Sequence, residues 1–193
     1  MFCGAGLRRR FWERPSMEIH IIDKAHEADI RLPNEPFPLF ARIVPTYDGA
    51  VWRYRREDFP PEQVTEMCFP DEAYDFDAMA DSVFLGAYEN DRCVGLAVLQ
   101  PYYFRYMYLM DLKVSKSCRG KGVGKALIEK AEEVAAAQGY LGIYTIGQDN
   151  NAAACLFYLR TGFVIGGLDT NVYRGTKQEG KADILFYRDT ASD

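Results

Sequence analysis

A glycine-rich stretch directly before a strongly helical run constrains this chain more than any other feature. It reads CRGKGVG from Cys118 to Gly124 and places three glycines and two cations within seven residues. The P-loop spacing G-x-x-x-x-G-K-[ST] and the dinucleotide-binding spacing G-x-G-x-x-G are both absent, because position 119 is arginine and position 125 is lysine. The stretch is therefore a different kind of loop, one that opens a helix.

The start of a helix favours an anion, because its first N–H groups have no intrahelical partner and its dipole adds partial positive charge. Glycines would let a phosphate approach these N–H groups closely, and Arg119 and Lys121 would add full charges. A plain strand-to-helix turn flanked by surface cations is the alternative interpretation of the same residues.

The rest of the chain reads as alternating strands and helices. Turn signals at Asp48-Gly49 and Asn90-Asp91 predict two hairpins. Helix periodicity and a following glycine predict helices over 122–138 and 151–161. Alternating or aromatic-rich runs predict strands over 17–22, 37–46, 51–55, 83–89, 93–99, 102–114, 140–146, 163–174 and 182–187. Residues 58–81, rich in proline and acids, predict a helical or irregular excursion that could lie over a substrate.

Length and charge limit the class of protein. The 193 residues, 48% of them hydrophobic, fit one well-packed domain, which we assign to 17–189 with residues 1–16 as an N-terminal extension. A net charge of -5 argues against nucleic-acid binding, and no run of about 20 apolar residues predicts a membrane span. The extension has its cations after its apolar residues, which is the wrong order for a signal peptide.

The metal-binding and nucleophilic residue types are sparse. Five cysteines without a C-x-x-C pair indicate reduced thiols in a cytoplasmic protein rather than disulfides or a zinc site. With His20 and His26 as the only histidines, neither a histidine-based triad nor a metal site is expected. Catalysis must therefore use carboxylates, tyrosines, backbone dipoles or a cofactor. Cys118, beside Arg119 and a helix start, is a less favoured candidate nucleophile.

Three motifs together resemble the GNAT family of acetyl-CoA-dependent N-acetyltransferases. The family pattern R/Q-x-x-G-x-G/A matches residues 119–124, and it is followed by Asn151-x-x-Ala154 and by Phe157-Tyr158 with Gly162-Phe163. Residues 148–151 and 166–169 and the hairpin strand Trp52-Arg53-Tyr54 extend the resemblance to the streptothricin acetyltransferases. The resemblance implies an α/β (α+β) fold, with a mixed, mostly antiparallel central sheet, helices on both faces and a splayed strand pair for acetyl-CoA.

The resemblance also implies which residues bind acetyl-CoA. Backbone N–H groups of the loop would hold the pyrophosphate, the end of the preceding strand would pair with the pantetheine amides, and the next helix would contact the pantetheine arm. The residues concerned are Leu112, Lys113, Val114, Arg119, Gly120, Lys121, Gly122, Val123, Gly124, Lys125, Asn151, Ala154 and Tyr158.

Acetyl transfer to an amine needs a base for the ammonium proton and an acid for the departing thiolate. Asp111 lies one residue before the pantetheine strand and is the candidate base or substrate anchor, with a solvent-facing acid as the alternative. Tyr158 matches the general-acid tyrosine of the family and would be protonated at pH 7. Asp169 and the acids of residues 71–77 are candidate contacts for a cationic substrate.

The sequence therefore predicts an N-acetyltransferase, monomeric or homodimeric, that acetylates a primary amine of a streptothricin-like small molecule. A protein lysine or N-terminal acetyltransferase and a non-catalytic acyl-CoA-binding module are the alternatives. The chain departs from streptothricin enzymes at Met110, where they usually carry an acid, and at Ile146-Gly147, where they usually carry Glu-Thr.

Overall fold

The computed structural model describes residues 17–101 and 104–190 of the chain. Its strands are β1 Met17–Ile21, β2 Phe37–Leu39, β3 Ala41–Tyr47, β4 Trp52–Asp58, β5 Thr65–Met67, β6 Val83–Glu89, β7 Arg92–Gln100, β8 Tyr106–Val114, β9 Gly142–Gln148, β10 Val164–Asp169 and β11 Asp183–Asp189. The α-helices are α1 Val123–Ala137 and α2 Ala152–Arg160, and 3-10 turns cover Lys24–Arg31, Pro61–Gln63 and Lys116–Cys118.

Seven strands form the central sheet in the order β1-β6-β7-β8-β9-β11-β10. Neighbours run antiparallel except β8 and β9, which are parallel and pair over three positions, ending at Tyr108 opposite Tyr144. Beyond that point β8 continues to Val114 and β9 to Gln148 without pairing to each other. The predicted mixed, mostly antiparallel sheet with one splayed strand pair is confirmed.

The two faces of the sheet are covered differently, because successive side chains of a strand point to opposite sides. On one face α1 and α2 pack with Leu85 and Ala97 into the larger apolar core. On the other face Phe84 and Leu96 meet Ile30 of the 3-10 helix Lys24–Arg31. The sequence did not predict this 3-10 helix, whose short amphipathic pattern carries a weak local signal.

Helix boundaries follow the predicted glycine signals closely. α1 begins after Gly122, which has a φ of +91°, and ends before Gly139 at +79°, while Gly162 at +91° follows the end of α2. Left-handed conformations of this kind cost little for glycine and about 1–2 kcal/mol for other residues. The predicted hairpin turn at Asn90-Asp91 is also present, with both residues at positive φ.

Other predicted elements differ in extent. The strand expected over 37–46 is divided at Phe40, because β2 pairs with β5 while β3 pairs with β4. The strand expected over 163–174 ends at Asp169, whose carboxylate accepts hydrogen bonds from the N–H groups of Asn171 and Val172 and so turns the chain.

The excursion over 58–81 is mostly irregular, as expected, with β5 as a short strand. The extension 1–16 lies outside the described residues. Within the described ranges, the helices are all too short or too polar to cross a membrane.

Candidate active site

The parting of β8 and β9 opens a cleft with a volume of about 930 Å³. One side of the cleft is formed by the glycine-rich loop, the start of α1 and α2. Residues from segments 33–38 and 69–74 also line the cleft, and segment 33–38 contacts the glycine-rich loop through Arg119. The predicted loop, strand-end and helix residues therefore meet at one place, because the gap between the two strands connects the two faces of the sheet.

The glycines of the loop serve two different structural needs. Gly120 and Gly122 have positive φ angles of +75° and +91°, and a Cβ at either position would meet no atom within 4 Å. Gly124 instead allows close packing of the two helices, since a Cβ there would lie 3.0 Å from the ring of Phe157. The first two glycines thus shape the loop around the helix start, and the third joins α1 to α2.

The cations of the loop are not equivalent. Arg119 donates to the carbonyl oxygens of Val114 at 2.9 Å and Pro36 at 3.1 Å, and it lies 3.6 Å from the carboxylate of Glu35. Lys121 is exposed and makes no hydrogen bond or ion pair with the described residues, whereas Lys125 pairs with Glu129 one helical turn later at 2.9 Å. In this structure Arg119 therefore ties the loop to neighbouring segments, and Lys121 is the cation left free.

The end of β8 carries the three residues predicted for the pantetheine arm. Leu112, Lys113 and Val114 pair with β7 along one edge, and in the described part of the chain the other edge has no strand partner beyond Tyr108. All three residues line the cleft. Apart from the Val114 carbonyl, which accepts from Arg119, this edge is available for an added strand-like ligand.

Tyr158 lies on the buried side of α2 and also lines the cleft. Its ring packs against Phe163 and Phe186 at centroid distances of 5.3 and 5.4 Å. Burial raises the pKa of the Tyr158 hydroxyl, and the neighbouring Thr145 hydroxyl acts in the opposite direction. The hydroxyl is therefore protonated at neutral pH.

Asp111 lies at the parting of the strands and belongs to a network that the sequence did not reveal. Its Oδ2 accepts a hydrogen bond from Tyr74 at 2.9 Å and lies 3.2 Å from Nζ of Lys113. Lys113 also pairs with Glu72. Burial raises the pKa of Asp111, opposed chiefly by the charge of Lys113. Tyr74 was missed because nothing local separates it from the other aromatic residues of its segment.

The remaining predicted residues divide between the cleft and its surroundings. Asn151 and Ala154 line the cleft, and the Asn151 side chain also caps α2 by accepting from the N–H of Ala154 at 3.2 Å. Asp169 does not line the cleft, and its carboxylate is used by the turn after β10. The Cys118 thiol is buried at the cleft edge, 3.8 Å from a carboxylate oxygen of Glu89.

At the positions where this chain differs from streptothricin enzymes, the surroundings are apolar. Met110 packs against the apolar cluster on the sheet face that the 3-10 helix Lys24–Arg31 covers. Gly147 lies close to the ring of Phe186, because a Cβ at this position would be 3.1 Å from it. Among the described residues, no group of three or more His, Cys, Asp or Glu side chains is placed to hold a metal ion.

Comparison with known proteins places this fold and cleft in one family. Residues 49–163 match the model of the acetyltransferase (GNAT) family. Streptothricin acetyltransferase A of Bacillus subtilis (strain 168) is 33% identical over 162 residues, which cover 82% of this chain and 92% of the relative.

Two solved structures are similar over 91% of this chain and 99% of their own length. One is a candidate streptothricin acetyltransferase from Bacillus anthracis str. Ames in complex with acetyl coenzyme A, with a TM-score of 0.80 and 28% identity. The other is a nourseothricin acetyltransferase, with a TM-score of 0.73 and 25% identity. Because the family model covers more than half of the chain and the Bacillus subtilis relative aligns over most of it, this chain belongs to the GNAT family of acetyltransferases.

Proposed function

We propose that this acetyltransferase moves the acetyl group of acetyl-CoA to a primary amine of a streptothricin-like small molecule by direct attack in a ternary complex. The observation that carries the proposal is the parting of β8 and β9, which joins a phosphate-accepting helix start to an acidic pocket through one cleft. The names of the relatives support the same acceptor class.

The described residues fit acetyl-CoA on the helix side of the cleft. The backbone N–H groups of residues 121–125 lie in and just before the first turn of α1, where an anion is favoured, and Lys121 adds a free charge. The unpaired edge of Leu112 to Val114 offers backbone groups for the pantetheine amides, and Asn151 lies across the cleft from it. When bound, acetyl-CoA supplies an activated thioester carbonyl.

The part of the cleft lined by Asp111 and Glu72 suits a cationic acceptor, and Glu72 is partly exposed to solvent. Glu35 also lines the cleft, but it pairs with Arg119 of the glycine-rich loop. Carboxylates attract an ammonium group before reaction, and one of them can accept its proton. In this proposal the helix start holds the anionic cofactor, and Asp111 with Glu72 attracts the cationic acceptor.

The proposed chemistry moves three protons. The acceptor ammonium loses one to Asp111, directly or through water, and the neutral nitrogen forms a bond to the acetyl carbon. The carbon–sulfur bond breaks, and Tyr158 donates its hydroxyl proton to the departing thiolate. The acetylated nitrogen then loses its second proton, which restores the Tyr158 hydroxyl through water, and Asp111 releases its proton to the solvent, so that the enzyme is unchanged after each turnover.

The acceptor class is tested by measuring thiol release from acetyl-CoA across a panel of amines. The panel contains streptothricin-type antibiotics, short diamines, aminoglycosides, lysine peptides and peptides with free N-termini, and mass spectrometry of the products locates the acetyl group. We expect turnover with streptothricin-type amines. Turnover confined to peptides would contradict the acceptor class, and binding of acetyl-CoA without any turnover would favour the non-catalytic alternative.

A further inference from the structure

Lys113 is a buried lysine inside the acidic side of the cleft. Its side chain is 7% exposed, although lysine is among the residues least often buried without a partner. Nζ pairs with Glu72, lies 3.2 Å from Oδ2 of Asp111 and donates to the carbonyl oxygen of Leu32 at 3.3 Å. It also lies 5.5 Å from the centre of the Tyr74 ring. Three separate segments of the chain thus converge on this ammonium.

The contacts of Asp111 leave one of its oxygens open. Both Tyr74 and Lys113 act on Oδ2, while Oδ1 accepts no hydrogen bond from the described residues. Oδ1 is therefore not fully buried, and it is exposed where Asp111 lines the cleft. The network therefore holds Asp111 through one oxygen and leaves the other for a ligand in the cleft.

The charges of the network do not cancel. Asp111 and Glu72 contribute two negative charges when ionised and Lys113 contributes one positive charge, so one negative charge is uncompensated. Without the lysine, two carboxylates would share a partly buried site, and such a pair resists full ionisation. Lys113 therefore favours the ionised form of Asp111 and offsets one of the two negative charges.

We infer that Lys113 is a positioning and specificity-determining residue for the acceptor: it holds Asp111 and Glu72 in place and leaves the pocket with one net negative charge, which selects one ammonium group at the reacting end of the acceptor. This inference rests on the proposed function. Lys113 acts through Asp111 and does not itself exchange a proton with the acceptor.

The first test follows the Asp111 carboxyl directly, in the full chain and without any acceptor. Side-chain carboxyl signals of 13C-labelled aspartate are followed by NMR against pH, and Asp111 is assigned by its loss in Asp111→Asn. The titratable groups that act on Asp111 are Lys113, Glu72 and Tyr74, of which Tyr74 is neutral. Lys113→Met should raise the Asp111 midpoint, Glu72→Gln should lower it, and Lys113→Arg should keep it near wild type.

The Asp111 midpoint is expected to rise in Lys113→Met and to fall in Glu72→Gln. These opposite shifts exclude a general loss of structure as the cause, because unfolding would move both midpoints towards the same unperturbed value. Melting curves check that each variant is folded. If Lys113→Met fails to fold, the Asp111 midpoints of Glu72→Gln and Lys113→Arg still test the inference. A midpoint that stays at the wild-type value in Glu72→Gln or Lys113→Met would overturn the inference.

The second test measures selectivity with an amine that the wild type accepts. kcat/KM is compared for two acceptors that differ by one additional ammonium group, at a pH where Asp111 is ionised in every variant. Lys113→Met should shift the ratio towards the doubly charged acceptor by about fivefold, the size typical of one partly exposed charge pair. An unchanged ratio contradicts the specificity role.

The two proposals fail in different ways. If no amine supports turnover in the wild type, the proposed function is wrong, and the NMR midpoints still show whether Lys113 controls Asp111. If the wild type acetylates amines and the Lys113 variants leave both the midpoints and the ratio unchanged, the function stands and the inference is wrong.

Discussion

At the scale of single residues, removing the Tyr158 hydroxyl tests whether the protein is an acetyltransferase or a non-catalytic acyl-CoA-binding module. Tyr158→Phe keeps the ring that packs against Phe163 and Phe186 but removes the proton donor for the thiolate. Because the hydroxyl acts as charge develops on sulfur, we expect kcat to fall by a factor of about 10² to 10⁴ with little change in acetyl-CoA affinity.

The Tyr158 prediction is checked by thiol release at saturating acetyl-CoA and by calorimetric titration of both proteins with acetyl-CoA. Equal turnover in the variant and the wild type would refute the general-acid role. A loss of affinity equal to the loss of turnover would instead indicate a role of the hydroxyl in packing or binding.

Substitution of Asp111, the proposed base, should also lower turnover. Asp111→Asn keeps the shape of the side chain and removes its charge and basicity, so turnover should fall at least tenfold, about 1.4 kcal/mol of barrier. Because burial raises the pKa of Asp111 above its ordinary value of 3.8, activity should be lost as the pH falls through that raised pKa.

The measurement is kcat/KM against pH, with Glu133→Gln as the control because this exposed glutamate lies on α1 outside the cleft. The control should keep the wild-type profile. Turnover of Asp111→Asn near the wild-type level would make Asp111 a structural acid held by Tyr74 and Lys113.

At the scale of elements, the glycine-rich loop and the start of α1 form the candidate pyrophosphate site. Gly122→Glu would place a carboxylate at this helix start and should abolish the rise in melting temperature that acetyl-CoA produces in the wild type. Gly122 has a φ of +91°, so any side chain also strains the backbone by about 1–2 kcal/mol.

Gly122→Ala is the matched control, because it carries the same strain without the charge and its Cβ meets open space. Differential scanning fluorimetry with and without acetyl-CoA should show a lower melting temperature for both variants, a reduced ligand-induced shift for alanine, whose Cβ crowds the phosphate, and no shift for glutamate. A shift of wild-type size in a folded Gly122→Glu variant would contradict the phosphate assignment.

The sequence predicted most elements of this fold because their signals are local. Glycines at positive φ, hairpin turns and the helix periodicity of α1 each depend on residues within a few positions of one another. The end of the strand expected over 163–174 also has a local cause, the Asp169 turn. The division of the strand expected over 37–46 instead depends on a change of partner from β5 to β4, which the sequence does not identify.

At the scale of the whole molecule, the proposed domain boundary predicts that the extension is dispensable. β1 begins at Met17, which lies opposite Glu89 of β6. A chain that starts at Met17 therefore keeps all of the β1–β6 pairing. We expect the shortened chain to have the same melting temperature, within about 2 °C, and the same rate of thiol release, because every β1–β6 pair is retained.

Circular dichroism melting and the thiol assay on the full and shortened chains check this boundary. A shortened chain that melts clearly lower would show that residues 1–16 contribute to the folded domain. A shortened chain that melts alike but loses turnover would place them at the active site instead.

The sequence by itself determined the glycine-rich helix start, the strand before it and the helix with Tyr158, because these follow from backbone conformation and periodicity within short segments. Only the tertiary structure decided where the cleft opens and which groups surround Asp111. Tyr74 lies 37 positions from Asp111 in the chain, and Glu72 lies 41 positions from Lys113. No local pattern encodes such contacts, since they exist only when the irregular segment 68–82 folds across the parted strands and buries a lysine between two acids.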